Sequence, residues 1–592
     1  MSYIFKSSVG LFVLLIICSL TEIYGQRVYS VYFNQLPTDM QLYARDDNNM
    51  AEVPISGIIE IPGWSHMSVI TYRNGEKVGY HKSLLNYQGR TSTTFEMKPT
   101  IKAEMADYSF EVFACKATDS ISLIKRNDVV AGDFYVISGQ SNASATIFGN
   151  WSSKYARTIA RIPDESPAIT PADTLWIPAA WSWTYVGAWG LELQKQILEE
   201  EGIPTCVING SLPGKKISEF LIDSDTNPIN VNSLYGSLLT RVRKAKPTRI
   251  RAFFWVHGEQ EALEYIKTYP EQYDQLYKKW VRDYPEVDQF IVLQTNLILL
   301  NHENSVPISG SIRDFLRRTK YLYAKTDHFS PIGIAGYDGM HYSRPGYEEL
   351  GQRLFQFLRP KVYKSGDSDN VRSADIRKVQ YTSNLKNEIV LTFDEGQMLK
   401  WANDTTIRGE DGQPLTISLK DLFYLDGDET KKHFSAGRVD SNRVILTLKE
   451  PFDAKKISYL PSYFIKNLPD PTKLKIGVFN GPYLKNKRGV GAFSFENVSI
   501  DHGVILGDED LIEKLFVNAY PNPVEDFLSI DFEQSRSNTV EVYSLTGKRM
   551  FSEVAVYQRY LEIDMKIWPK GIYILTVKTG NGKMVNRKIF KN

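Results

Sequence analysis

Cysteine is scarce in this chain of 592 residues, which contains only Cys18, Cys115 and Cys206. Cys18 lies in an apolar N-terminal segment, so the rest of the chain allows one disulfide bond at most. That number excludes the small scaffolds whose stability depends on several disulfide bonds. Apolar cores must therefore hold the protein together, and its length predicts about four domains of roughly 150 residues each.

An excess of charge of either sign is also absent, because 70 Lys and Arg residues balance 69 Asp and Glu residues to a net charge of +1. Nucleic acids and anionic membrane surfaces select proteins with a marked basic surplus. The composition therefore supports neither partner, and we predict that the protein binds no nucleic acid.

Metal-binding patterns are missing as well. The eight histidines form no His-x-x-x-His pair, and none joins a cysteine cluster. Zinc sites are built from such pairs and clusters. The sequence therefore predicts no metal site.

Long hydrophobic runs are absent apart from one short run near the N-terminus. Lys6 precedes the apolar run from Val9 to Leu20, and the small residue Gly25 follows it. The run is too short to span a bilayer and has the form of a secretory signal peptide over residues 1–25. We therefore predict an exported protein with no stable membrane span.

A lipid anchor on Cys18 is the alternative interpretation of this segment. The bulky Ile16 and Ile17 before that cysteine disfavour it. A signal peptide together with few cysteines and a large size is typical of an exported bacterial protein.

Short strand-like runs separated by turn residues fill residues 26–129 and again residues 373–500. This spacing predicts an antiparallel β-sandwich-like domain in each region. In the first region the runs are Ile55–Ile61, Met67–Tyr72, Ser92–Met97 and Tyr108–Cys115.

Strand-like and helix-like segments alternate between those two regions, over residues 130–362. Such alternation predicts an α/β domain, with a parallel sheet and helices on both of its faces. The predicted strands are Phe134–Ser138, Thr205–Ile208, Ile250–Trp255 and Phe290–Gln294, and the predicted helices are Gly187–Glu200, Asn232–Ala245, Glu261–Asp283 and Ser343–Leu358. The last helix has the clearest boundaries, with Ser343 as its cap and Pro360 as its stop.

The segment from Asp133 to Asn142 carries the strongest chemical signal. Its apolar run ends at Gly139 and presents Ser141 where a strand gives way to a helix. An α/β enzyme mounts a nucleophile at that place, because the first N–H groups of the helix can receive an oxyanion.

A second segment, Tyr337-Asp-Gly-Met-His341, supplies the other groups that acyl transfer needs. Asp338 is close enough in sequence to orient the imidazole of His341 toward a serine. The alternative is a polar loop whose Asp and His only lead into the next helix. Spacing alone does not decide between the two.

Three segments in this order resemble the sialate O-acetylesterase domain of the SGNH (GDSL-like) hydrolase superfamily. They are Gly139-Gln-Ser-Asn142, Trp255-Val-His-Gly-Glu259 and Asp338-Gly-Met-His341. Val207-Ile-Asn-Gly-Ser-Leu-Pro-Gly214 is similar to the intervening glycine segment of that family. The resemblance covers about residues 130–359.

The resemblance implies a three-layer SGNH hydrolase domain and a serine esterase that removes acetyl groups from carbohydrates without a metal or cofactor. Carried onto this sequence, it makes Ser141 the nucleophile, His341 the general base and acid, and Asp338 the orienter. The oxyanion hole is expected to combine the N–H groups of Ser141 and Gly214 with a side chain of the Trp-x-x-Gly-Glu segment.

Two positions depart from the family pattern. His257 stands where glutamine usually precedes Gly-Glu. Its imidazole either donates to the oxyanion in place of that glutamine, or it tunes specificity or weakens the hole. Pro213 occupies a position where a second glycine is common, and proline has no N–H to donate. Gly214 is then expected to be the only residue of the glycine segment that donates an N–H to the oxyanion. We interpret Glu259 as a structural residue that braces the loop.

Aromatic residues crowd the segment between the nucleophile and the glycine segment. A platform for sugar rings is one interpretation, and core packing is the favoured one. The tryptophans concerned are Trp176, Trp181, Trp183 and Trp189.

The last module, residues 513–592, has the pattern of a small β-sandwich with proline and glycine turns. Val517-Asn-Ala-Tyr-Pro-Asn-Pro523 and Gly571-Ile-Tyr573 resemble the C-terminal sorting domain of the type IX secretion system of certain Gram-negative bacteria. The resemblance implies passage through the periplasm to the cell surface or beyond, with the secretion machinery as a partner. A sugar-binding β-module is the alternative.

These observations favour a secreted carbohydrate O-acetylesterase whose partner is an acetylated sugar. Two further hypotheses remain: a binding protein on an esterase scaffold that has lost catalysis through His257, and another serine esterase or lipase. Fold alone does not choose a substrate.

Overall fold

A computed structural model provides the fold. It describes residues 30–117, 119–146, 151–159, 175–180, 186–222, 225–298, 309–408, 414–462, 481–501, 517–532, 538–555, 560–579 and 584–592. The predicted signal peptide, Trp181 and Trp183 lie outside the described residues. Within them, no helix combines the length and apolar composition that a bilayer crossing requires.

The chain divides into two compact units. Among the described residues, the first comprises 30–41, Met50–Lys102 and Ala106–Val130, and the second comprises the others. Cys115 in the first unit and Cys206 in the second are both free and buried.

The first unit is built from antiparallel strands. The strand Ile55–Ile59 lies between Val31–Gln35 and Thr93–Met97, and its residues alternate between buried and half-buried. The strand His66–Arg73 lies between Glu76–Leu84 and Tyr108–Cys115. The antiparallel pairing expected for this region is thereby confirmed. The strands up to residue 139 are Val31–Gln35, Leu42–Ala44, Met50–Glu52, Ile55–Ile59, His66–Arg73, Glu76–Leu84, Thr93–Met97, Thr100–Lys102, Tyr108–Cys115 and Ser120–Gly139.

A mixed sheet forms the centre of the second unit. Its strands, from edge to edge, are Trp176–Pro178, Ala156–Ile159, Thr205–Asn209, the 133–139 end of Ser120–Gly139, Ala252–Val256, Phe290–Leu293 and Thr326–Phe329. The pairings are parallel except for the antiparallel edge strand Trp176–Pro178. The predicted parallel sheet is therefore present, with one antiparallel strand added at its edge. Every residue of Ala252–Val256 is buried, as expected where both faces of a sheet are covered.

Helices connect the strands of this sheet. They are Ser141–Ser144, Ala188–Glu201, Ile217–Phe220, Leu234–Ala245, Glu259–Leu263, Tyr269–Asp283, Ser309–Leu322 and Arg344–Val362.

One predicted helix is broken in the structure, and another differs at its ends. Glu261–Asp283 is interrupted at Tyr265, whose φ of 60° lies in the left-handed region, and Pro270 then sits in the first turn of the next helix. The helix Arg344–Val362 continues past Pro360, and the side chain of Ser343 at its start makes no capping hydrogen bond. The expected stop and side-chain cap are therefore corrected.

Beyond residue 375, the described residues form antiparallel strands in two groups with separate apolar clusters. The first group is Ile376–Tyr381, Glu388–Phe393, Leu399–Lys400, Thr405–Arg408, Pro414–Ile417, Phe423–Leu425, Phe434–Asp440, Arg443–Leu448, Lys456–Tyr459, Lys485–Asn486 and Phe495–Ser499, with a 3₁₀ turn at Leu419–Leu422. The second group is Val517–Tyr520, Phe527–Phe532, Asn538–Ser544, Arg549–Ala555, Tyr560–Asp564, Gly571–Thr579 and Met584–Lys591.

Candidate active site

A sharp strand-to-helix turn presents Ser141. The strand ends at Gly139, and Ser141 opens the short helix Ser141–Ser144. Gly139 has a φ of 137°, and a Cβ atom there would lie 2.0 Å from the carbonyl oxygen of Val256 on the neighbouring strand. Only glycine allows the two strands to approach this closely while the chain turns.

The hydroxyl of Ser141 meets the imidazole of His341. Ser141 Oγ and His341 Nε2 are 2.8 Å apart, although 200 residues separate them in the sequence. A neutral imidazole accepts the hydroxyl proton at Nε2, which is the contact that a nucleophile and its base require. The structure therefore brings these two predicted residues together.

Asp338 holds the turn that carries His341 through the backbone. Its Oδ1 accepts hydrogen bonds from the N–H groups of Met340, at 2.9 Å, and His341, at 2.7 Å. Among the hydrogen bonds and ion pairs of the described residues, none joins the Asp338 carboxylate to the His341 ring. The expected contact with Nδ1 is therefore not formed, and Asp338 acts on His341 through the shape of the loop.

Gln140 links the nucleophile turn to two other segments. Its Oε1 accepts from the N–H groups of Gly258 and Glu259, each at 3.2 Å, at the start of the helix Glu259–Leu263. Its Nε2 donates to the carbonyl oxygen of Lys215, at 2.7 Å, and to Glu261 Oε2, at 3.2 Å. One buried amide thus positions Ser141 against both the Trp-x-x-Gly-Glu segment and the glycine segment.

Asn142 is a site residue to which the sequence analysis assigned no role. Its Nδ2 donates to Glu259 Oε1 at 2.7 Å and to the carbonyl oxygen of Met340, the residue before His341, at 3.0 Å. Its Oδ1 accepts from the hydroxyl of Tyr347 at 2.8 Å. Burial raises the pKa of Glu259, and the bond from Asn142 partly offsets that effect. The position of Asn142 inside the Gly-Gln-Ser-Asn motif was the available signal.

We expect Asn142→Ala to lower the free energy of unfolding by about 2–4 kcal/mol, because the buried Glu259 carboxyl loses its donor. The loss of the Met340 contact should also lower kcat, since that contact ties the nucleophile turn to the loop of His341. Chemical denaturation and aryl acetate kinetics measure the two effects. Asn227→Ala, at an exposed asparagine, is the control. Equal stability of the Asn142→Ala variant and the wild type would contradict this assignment.

The predicted oxyanion donor Gly214 lies in an exposed turn after the strand Thr205–Asn209, with a φ of 70°. The chain on both sides of it is anchored to the nucleophile turn. The N–H of Leu212 donates to the carbonyl oxygen of Gly139 at 3.1 Å, and the carbonyl oxygen of Lys215 accepts from Gln140.

His257 does not face the nucleophile. Its side chain is fully buried, and its ring stacks between Trp255 and Tyr269 with interplanar angles of 13°. Its Nε2 lies 3.0 Å from the carbonyl oxygen of Lys215, so Nε2 must carry the proton and donate it there. Burial lowers its pKa to about 3, which leaves the ring neutral. The expectation of a direct oxyanion donor is corrected, because this N–H supports the glycine segment instead.

Glu261 is a second buried carboxyl beneath the site. Its Oε1 accepts from the N–H of Ile217 at 2.6 Å, and its Oε2 lies 3.5 Å from Nδ1 of His257. Burial raises its pKa to about 7. The acid form of Glu261 is therefore populated near neutral pH.

When the pH rises from 5 to 8, the free energy of unfolding should fall less for the Glu261→Gln variant than for the wild type. The folded-state pKa of about 7 exceeds the ordinary value of 4.5. Stability from this group is therefore fully present below about pH 4.5 and is lost as the pH rises to about 7. The difference corresponds to at most about 3 kcal/mol.

Urea denaturation at both pH values tests this difference. Glu199→Gln, at an exposed glutamate, is the matched control and should follow the wild type. Parallel pH profiles for the wild type and Glu261→Gln would exclude a titrating carboxyl at this position.

The structure describes two of the four tryptophans near the site, Trp176 and Trp189. Trp189 is fully buried, packs edge-on against Phe254 and donates its Nε1 hydrogen to the carbonyl oxygen of Asn142 at 2.9 Å. The core interpretation holds for this residue. Trp176 lies half-buried on the edge strand of the sheet.

Comparison with known families gives two matches. Residues 131–359 match the family described as carbohydrate esterase, sialic acid-specific acetylesterase. Residues 518–592 match the secretion system C-terminal sorting domain. No curated protein matches the sequence.

Solved structures supply further likenesses. A carbohydrate acetylesterase from Xanthomonas citri is similar over 79% of this chain and 99% of its own, at 17% identity and a TM-score of 0.50. An acetylxylan esterase from Geobacillus stearothermophilus is similar over 38% of this chain and 94% of its own, at 10% identity and a TM-score of 0.25. The first likeness shows a shared multidomain fold.

Proposed function

Because the chain carries a carbohydrate esterase domain and a sorting domain that marks it as a secreted or cell-surface protein, we propose that it is a serine O-acetylesterase acting on acetylated sugars. The single observation that supports this most directly is the contact of 2.8 Å between Ser141 Oγ and His341 Nε2. It lies inside the matched domain, at the end of a sheet strand.

In the proposed reaction, Ser141 Oγ attacks the acetyl carbonyl carbon while His341 Nε2 takes the hydroxyl proton. The bond between the carbonyl carbon and the sugar oxygen then breaks, and His341 returns the proton to that oxygen. Water then attacks the acetyl carbon while His341 takes one of its protons. The bond between that carbon and Ser141 Oγ breaks, His341 returns the proton to Oγ, and the acetyl group leaves as acetic acid, which ionises to acetate. Asp338 keeps His341 in place as its orienter.

The negative oxygen of each tetrahedral intermediate is assigned to the N–H groups of Ser141 and Gly214. A donor of this kind typically stabilises the transition state by about 3–4 kcal/mol. His257 contributes indirectly, since it holds the Lys215 carbonyl oxygen next to Gly214. On this proposal its presence in place of glutamine leaves the enzyme active.

The finer assignments are part of the same proposal. The central domain, residues 130–362, adopts the three-layer SGNH arrangement, with β-sandwich domains over residues 26–129 and 373–500. The signal peptide, residues 1–25, directs the chain to the periplasm of a Gram-negative bacterium. The type IX secretion machinery then recognises the chain through the module over residues 513–592.

Acetate release by the wild type and by Ser141→Ala is the test. The substrates are an aryl acetate, O-acetylated sialic acid, acetylated xylan and a long-chain aryl ester. We expect hydrolysis of acetates that depends on Ser141, and little action on the long-chain ester. Preference for the long-chain ester would identify a lipase. Equal rates for the two proteins would favour a binding protein on an esterase scaffold.

A further inference from the structure

A pocket lies between the helices Ala188–Glu201 and Arg344–Val362, and its lining contains neither Ser141 nor His341. Its volume is about 270 Å³. Pockets for drug-sized ligands hold roughly 300–1,000 Å³, so this one has room for about one sugar ring.

Two connections fix the pocket close to the catalytic pair. The N–H of Ala188 in its wall donates to the carbonyl oxygen of Ala145 at 2.9 Å. Ala145 follows Ser141 by four residues, a rise of about 6 Å along a helix. On the other side, Arg344 lines the pocket and follows His341 by three residues, at most about 10 Å of chain. A sugar in the pocket can therefore place an ester group near Ser141.

The lining combines an aromatic ring with hydrogen-bonding side chains. A sugar ring offers matching surfaces, because one of its faces is apolar and its hydroxyl groups form hydrogen bonds. Trp151 is half-buried and supplies a surface for the apolar face of the ring. The polar side chains of the lining are Glu192, Lys195, Arg344, Glu348 and Gln352. Their amide, ammonium and carboxylate groups suit sugar hydroxyls, which both donate and accept.

The charges in this lining are paired with one another. Arg344 Nε donates to Glu348 Oε1 at 2.8 Å, and Lys195 Nζ lies 3.8 Å from Glu192 Oε2. Gln352 Nε2 also donates to Glu192 Oε1, at 3.0 Å. Carboxylate ligands are frequently bound through two parallel N–H bonds from one arginine, and here Nε of Arg344 already donates to Glu348. Two cations matched by two anions favour an uncharged ligand.

We propose that this pocket binds the uncharged sugar ring next to the acetyl ester, so that the substrate is an acetylated neutral saccharide rather than a carboxylate-bearing sugar. The inference rests on the proposed esterase function for the ester itself. It goes beyond that function in naming the sugar class and the side chains that select it.

Calorimetric titration of the full-length Ser141→Ala protein tests the pocket without turnover. The probes are mono-O-acetylated xylobiose and O-acetylated N-acetylneuraminic acid. We expect the neutral sugar to bind about tenfold more tightly than the acidic one, a free-energy difference of about 1.4 kcal/mol. Adding Trp151→Ala should weaken xylobiose binding about five- to tenfold. Trp151→Phe, which keeps a ring, should weaken it less.

Tyr32→Ala is the matched control, since Tyr32 is 61% exposed in the first unit. A thermal melt of each variant checks that it is folded. Unchanged xylobiose affinity in both Trp151 variants would overturn the proposal. Tighter binding of the acidic sugar that Arg344→Gln abolishes would overturn it too.

Acetate release by the wild type and by Ser141→Ala tests the esterase proposal separately from the pocket proposal. If acetate release does not depend on Ser141 but the Trp151 variants still weaken xylobiose binding, the esterase proposal fails and the pocket assignment stands. If hydrolysis depends on Ser141 but the titrations show no effect of Trp151, only the pocket assignment fails.

Discussion

Replacement of Ser141 by alanine should lower kcat for acetate release by about 10⁵-fold or more. The change removes the atom that forms the acetyl intermediate, and knockouts of serine nucleophiles in hydrolases have effects of this size. Binding and the oxyanion N–H groups remain, so a small rate above that of water is expected to persist. Steady-state kinetics on an aryl acetate measure the change.

The folded state should tolerate this substitution, because alanine suits the first turn of a helix. Ser218→Ala, at an exposed serine on the short helix Ile217–Phe220, is the control and should keep the activity of the wild type. A serine-directed fluorophosphonate should label the wild type and spare Ser141→Ala. Labelling of both proteins to the same extent would place the nucleophile elsewhere.

The second large effect is expected at Asp338. Asp338→Ala should lower kcat/KM by about 10²–10³-fold, since two N–H bonds to a carboxylate are lost and each contributes about 1.5–3 kcal/mol. Those bonds shape the loop that aims His341 at Ser141. Asp338→Asn should lose only about tenfold, because an amide oxygen can still accept both N–H groups.

The contrast between the two Asp338 variants separates two roles. If the carboxylate bonds to Nδ1 of His341 during the reaction, asparagine would favour the wrong tautomer and cost about 10⁴-fold, as much as alanine or more. A melting curve for each variant distinguishes loss of chemistry from loss of fold. Equal losses in Asn and Ala variants would contradict the loop-shaping role that the structure indicates.

Local signals predicted much of the α/β region. The helices Ala188–Glu201, Leu234–Ala245 and Arg344–Val362 lie within a few residues of their predicted bounds, and the last of them has a clear apolar stripe that includes Tyr347, Leu350, Leu354 and Leu358. The helix Ser309–Leu322 was not predicted. Its buried face includes Arg313 and Arg317, and these charged residues interrupt the apolar pattern that indicates a helix.

Long-range partners explain why those arginines are buried. Arg313 Nε donates to Ser494 Oγ at 2.8 Å, and Arg317 Nη1 donates to Asp375 Oδ1 at 2.9 Å. Charged groups enter a protein interior only when paired in this way. Local partners exist as well, since Arg313 Nη1 donates to Ser309 Oγ at 3.0 Å and Arg317 Nη2 to Asp314 Oδ1 at 2.7 Å. A window of sequence around residue 313 nevertheless lacks Ser494 and Asp375, which the tertiary fold supplies.

The same limit applies to the site. Ser141, His341 and Gly214 were identifiable from their motifs, since each motif carries its own turn and residue types. The direction of the His257 side chain was not, because Trp255, Tyr269 and the Lys215 carbonyl oxygen together decide it. Asn142 likewise has its role only in the folded chain, where its Nδ2 donates to Glu259 and to the carbonyl oxygen of Met340.

The amino-acid sequence by itself indicated Ser141, Asp338 and His341 as candidates for the chemistry and predicted where several strands and helices run, because turn residues and apolar periodicity act over a few neighbouring positions. Only the tertiary structure decided which of those residues meet. A hydroxyl and an imidazole separated by 200 residues come within 2.8 Å because a sheet holds their loops together, and burial among aromatic rings turns His257 away from them.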